Sequence, residues 1–123
     1  MHKILLISLG SVLGANLRFA LQTFIENHSK SNSDLSILLI NCTGCLVLGL
    51  LSALLYKPDQ PARYIWIIGF VGSFTAFSTF SALVSEHFQH GELTTALGYG
   101  ILEPILGIGM YTMGMILGRF LFH

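Results

Sequence analysis

Charge is what this chain has least of. Only 10% of its 123 residues are Asp, Glu, Lys or Arg, six acidic against six basic, and the formal net charge is zero. A soluble globule of this size needs a polar coat that so few charged side chains cannot supply. A neutral chain also offers nothing to nucleic acid. Cysteine is nearly absent, with Cys42 and Cys45 the only two. Their spacing matches a redox or metal CxxC, but no further cysteine exists. All five histidines, His2, His28, His87, His90 and His123, fall in termini or loops, so no span completes a metal site. The same distribution leaves no Ser/His/Asp or Cys/His set and no phosphate-cradling loop, which argues against an enzyme. Proline is confined to Pro58, Pro61 and Pro104, and no internal repeat or low-complexity tract is visible.

Apolar residues fill the space, at 53% of the chain. They fall in four runs, about Ile4 to Ile25, Ser36 to Tyr56, Tyr64 to Val84 and Leu93 to Phe122. At about 1.5 Å per residue each crosses a hydrocarbon core roughly 30 Å thick. The expectation is one all-α membrane domain over residues 1–123, with four transmembrane helices at about 4–25, 36–56, 64–84 and 93–122. The first run is long, carries Arg18 and lacks an early small-residue cleavage site, so it reads as a helix and not as a signal peptide. Polar links at Glu26 to Asp34, Lys57 to Arg63 and Ser85 to Glu92 join antiparallel neighbours. Lys3, Lys57, Arg63 and Arg119 lie on one side and Lys30 alone on the other, with Arg18 near that end of its helix. By the positive-inside rule both termini are expected in the cytoplasm. So small a bundle fills with its own side chains, which implies an oligomer.

The residues at mid-membrane look like a pathway. Gly69 to Phe80 sets two glycines, hydroxyls and spaced phenylalanines inside the third run, inviting a break whose freed carbonyls need a partner such as an ion. Phe77 and Phe80 share one helix face, and Thr75 and Thr79 a neighbouring one. A ring edge carries positive quadrupole and can meet a small anion, although phenylalanine in a membrane helix more commonly faces lipid or core. Asn41 brings two donors to a place short of them, for helix-to-helix bonding or for an ion. Gly10 and Gly14 make a small-xxx-small packing face. Arg18 either snorkels or draws anions into a vestibule. Glu103, beside Pro104 in the fourth run, has an open role. Burial would favour a neutral carboxyl that donates a hydrogen bond, and a structural partner such as Arg18 or the backbone freed by Pro104 is the alternative.

Three of these motifs resemble the Fluc (CrcB-type) family of fluoride channels over essentially the whole chain. They are Gly10 to Phe19 with Gly14, Ala15 and Arg18; Asn41, Gly44 and Gly49; and Gly69, Gly72 and Thr75 to Phe80. The resemblance implies an antiparallel dual-topology dimer with a broken third helix, in the inner (plasma) membrane as a multi-pass protein. It implies passive fluoride export that relieves fluoride toxicity. It also implies a structural Na⁺ at the dimer interface, held by carbonyls of Gly72 and Thr75. Phe77 and Phe80 would supply ring edges, Asn41, Ser78 and Thr79 would donate to fluoride, Tyr99 matches the family's pathway aromatic, and Arg18 would sit by the vestibule. Ile37 stands where the family has a threonine, Leu83 where it has an acidic residue, Ala76 for a threonine and Glu103 for a pathway serine. The rival readings are a proton-coupled exporter of the small multidrug type, which depends on an acidic residue in its first helix, and a non-conducting subunit of a heterodimeric channel.

Overall fold

The computed structural model describes residues 1–29 and 33–122. Four long apolar helices are present among them. The first runs His2–Ser29, the second Ser33–Leu54 and the fourth Leu93–Phe122, while the third span, Pro61–Gln89, is interrupted. The first two helices outrun the expected ends near residues 25 and 36, so the polar link between them is shorter than its composition suggested. Lys30 lies outside the described residues.

The third span is built from unlike pieces. A turn at Pro61–Arg63 leads into a π-helical stretch, Tyr64–Val71, then an α-helical turn, Gly72–Phe74. Thr75 (φ −83°, ψ 153°) is extended and Ala76 (φ −140°, ψ 86°) non-helical, and a regular helix resumes over Phe77–Gln89. The Gly72 N–H reaches back to Ile67 O, the wider closure of a π turn. The expected break is therefore present, but it falls after both glycines.

Glycine sets the packing. The first helix lies on the π-helical stretch, where a methyl group at Gly10 would strike the Ile65 carbonyl oxygen and one at Gly14 that of Phe70. Gly69 presses back on the Ile7 carbonyl. The second and fourth helices run parallel and meet backbone to backbone, Gly49 against the Tyr111 carbonyl and Gly114 against that of Leu46. Such approaches let dispersion and close backbone contact hold helices together where lipid removes the hydrophobic drive. The fourth helix carries Pro104 without interruption.

Both ends of the bundle are tied. At the end holding the N-terminus, Lys3 Nζ lies 3.5 Å from Asp59 Oδ1 and over the Tyr64 ring, while Arg63 donates to Leu55 O at 2.8 Å. At the other end the third helix extends through His87, which the sequence had placed in a loop. Gly91 (φ 75°) closes it in the left-handed conformation that glycine adopts freely, with Glu92 N–H donating to His87 O at 2.9 Å. The His87 ring joins Asp34 Oδ2 (2.8 Å) to Glu92 and stacks on Tyr99. One side chain thus fastens the starts of the second and fourth helices to the end of the third.

Candidate functional site

The break is held by Asn41. Its carboxamide oxygen accepts the Ala76 N–H at 2.9 Å, and its Nδ2 donates to Glu103 Oε1. In a continuous helix the Ala76 N–H would go to the Gly72 carbonyl. Diverted to a side chain of the second helix, it leaves that carbonyl free. Among the described residues, no backbone bond reaches the Gly72 or Thr75 carbonyl. Thr75 closes its own side of the gap, donating through N–H and Oγ1 to Val71 O, each at 3.1 Å. Gly44 admits this arrangement, because a methyl group there would strike Thr75 Cγ2.

Beside the break lies an apolar cavity of about 420 Å³, lined by Asn41, Thr75, Phe77, Phe80, Glu103 and Tyr111 among others. Phe80 is 7% exposed and packs with Ile37 and Leu83, whereas Phe77 is 76% exposed, its ring centroid 5.7 Å from that of Phe80. Glu103 is 7% exposed. One of its oxygens takes the Asn41 amide and the other, Oε2, is buried with no partner among the described residues.

The structure thus brings Asn41, Phe77, Phe80, Thr75 and Glu103 together. Ser78 and Thr79 are exposed on the outer face with Phe77, as is Gly72. Tyr99 packs against the Phe80 and Leu83 core and lines a separate groove with Leu102 and Ile105. Arg18 is half-buried and makes no ion pair among the described residues, so it is not Glu103's partner. No His/Cys/Asp/Glu group among the described residues can hold a metal, and both cysteines are free.

The Asn41 to Glu103 bond and the lining by Tyr111 and Cys45 were not foreseen. Depth carried the signal. Asn41 lies about 12 Å and Glu103 about 15 Å along helices that begin at the same end of the bundle, so the two polar groups sit level.

A model of one family, CrcB-like protein, Camphor Resistance (CrcB), matches residues 5–115. The chain belongs to the CrcB-like family. Relatives span this CrcB-like chain almost end to end. A protein of Paracoccus denitrificans named a fluoride-specific ion channel FluC is 33% identical over 122 residues, 98% of both chains. Proteins with the same name from Pseudomonas putida and Dehalococcoides mccartyi are 35% identical (93% of this chain, 94% of theirs) and 32% identical (98% and 95%). With its four apolar spans, this CrcB-like chain is a multi-pass membrane protein. Its kin are ion channels by name, not enzymes.

Proposed function

We propose that the chain forms a channel passing fluoride passively out of the cytoplasm, across the plasma membrane, and so relieves fluoride toxicity. One observation carries this reading: a break in a membrane span opens beside a cavity that joins the Asn41 amide to the Phe77 and Phe80 rings. Fluoride is strongly hydrated, and a path that strips its water must return donors without holding it fast. Among the described residues Asn41 keeps one amide hydrogen uncommitted, and ring edges add weak positive faces. Hydrogen fluoride crosses the bilayer as a neutral acid and ionises inside, so a leak selective for the anion drains what the acid carries in.

A second copy in antiparallel orientation completes the path. Freed carbonyls and exposed hydroxyls at mid-membrane cannot be left to lipid, and Gly72, Ser78 and Thr79 lie on the open face of one chain. The carbonyls of Gly72 and Thr75 are hard oxygen donors released by the break, and they suit a structural Na⁺ on the dimer axis. Its charge would balance the converging carbonyl dipoles. Arg18 serves the vestibule. Ser78 and Thr79 reach fluoride from the outer face, and Tyr99 backs the Phe80 cluster. The multidrug-exporter reading lacks its acid: Glu26, at the end of the first helix, is taken up by Gln22 and Ser36.

Fluoride-selective efflux from liposomes holding this chain alone tests the proposal. Efflux only after adding an oppositely oriented homologue identifies half of a heterodimer. No efflux in either case refutes the channel.

A further inference from the structure

We propose that Glu103 carries a proton on Oε2 and presents that O–H to the anion in the cavity, so that conduction requires a protonated carboxyl and fails as the proton is lost. This rests on the channel reading above. A carboxylate accepts hydrogen bonds at both oxygens, and inside a membrane an ionised one needs a cation or several donors. Among the described residues Glu103 has one donor, Asn41. Its Oε2 is buried and unpartnered, and no cation pairs with it among the described residues. A bare charge in that position is the costliest arrangement available, and a proton on Oε2 removes it. The protonated group also gains a use: Glu103 lines a cavity whose other walls are mostly apolar, and a turn of its carboxyl brings that O–H, buried at rest, to an anion there.

The surroundings leave few rivals for the titration. The second helix brings Cys42 and Cys45 near Glu103, and its own helix brings Tyr99, with Tyr111 lining the same cavity. The third helix contributes Val71, Thr75, Phe77 and Phe80, none of which titrates. The first helix offers Arg18, which forms no ion pair among the described residues. The ligand class follows from the donor set of an acid O–H, an amide N–H and ring edges. It is a small, hard, hydrogen-bond-accepting anion. Ionised, the same carboxylate would face that anion as a like charge in low dielectric.

The test is fluoride efflux from liposomes between about pH 6 and about pH 9, a range that covers known buried glutamates. Leakage of hydrogen fluoride through protein-free vesicles is subtracted. Wild-type flux is expected to fall at least about tenfold towards the alkaline end, the effect of about 1.4 kcal/mol. Glu103→Gln keeps an acceptor for Asn41 and a donor for the anion but cannot ionise. It should conduct more slowly than wild type at the acid end, because an amide is the weaker donor, and show no pH dependence. Wild-type flux level across the range would overturn the proposal, as would an identical fall in both proteins, which would assign the titration to a cysteine or tyrosine. A second readout does not need flux. Infrared difference spectra of wild type against Glu103→Gln should contain a protonated-carboxyl band near neutral pH that fluoride shifts and chloride does not. Absence of that band, or its indifference to fluoride, overturns the proposal even in a chain that carries no flux alone.

Discussion

Replacing Asn41 with alanine removes a side chain that bridges the break to Glu103, and its consequences can be worked from two bonds. The Ala76 N–H loses its acceptor at 2.9 Å and Glu103 Oε1 loses its donor. Ala76 is 8% exposed and Glu103 7%, so the two groups are poorly placed to find water from outside the bundle. In a soluble protein two such orphans would cost about 2–6 kcal/mol. Helix-to-helix bonds in membranes are worth less, about 0.6 and at most about 1.7 kcal/mol each, because unpacked helices also find partners. The loss is therefore about 1–3 kcal/mol. That is too little to unfold a helical bundle held by backbone contacts, yet it shifts the equilibrium between the correctly set break and its alternatives about 5- to 150-fold. Asn41→Ala should purify folded, with a lowered melting temperature in detergent, and its fluoride efflux should fall at least about fivefold. Asn41→Asp, which keeps the acceptor for Ala76 but opposes Glu103 with a second carboxyl, should melt closer to wild type and still conduct poorly. Wild-type flux together with an unchanged melt in Asn41→Ala would refute both the anchoring of the break and the donor role.

The two phenylalanines should separate function from stability. Phe77 is 76% exposed, so Phe77→Ile should sharply reduce efflux at unchanged thermal stability, whereas Phe80→Ile, at a buried position, should reduce efflux and also lower the melt. Undiminished efflux from either variant removes the ring-edge contact. Replacing Na⁺ by a bulky organic cation should inactivate the channel slowly, without Na⁺ being carried across. Full activity after long depletion would show that the Gly72 and Thr75 carbonyls hold no such ion.

The spans were legible because each apolar run matches a bilayer, and the packing role of Gly10 and Gly14 followed from their spacing. That the third helix breaks was legible too, but not where. Gly69 and Gly72 looked like the weak points, yet Gly69 serves close packing on the first helix and Gly72 stays in a helical turn. The non-helical pair is Thr75 and Ala76, because the group that draws off the Ala76 N–H is Asn41, 35 positions away. No local propensity encodes such a contact. The same holds for Glu103. Its oddity was plain, but its partner depends on the second and fourth helices lying side by side. His87 looked like a loop residue because polar composition resembles a link, whereas Asp34, Glu92 and the Tyr99 ring hold it at a helix end.

The parallel contact of the second and fourth helices also bears on how the protein is made. Gly49 meets Tyr111 and Gly114 meets Leu46 across about 60 residues of chain, with the broken span between them in sequence. A ribosome delivers the second helix long before its closest neighbour exists. Until the fourth arrives, Asn41 can satisfy the Ala76 N–H but has no Glu103 to receive its own amide. The fourth helix therefore closes the cavity wall only after the other three have been made. Chains truncated before it would expose an unmet amide and a bare glycine face within the membrane, the kind of surface that invites mispairing and degradation.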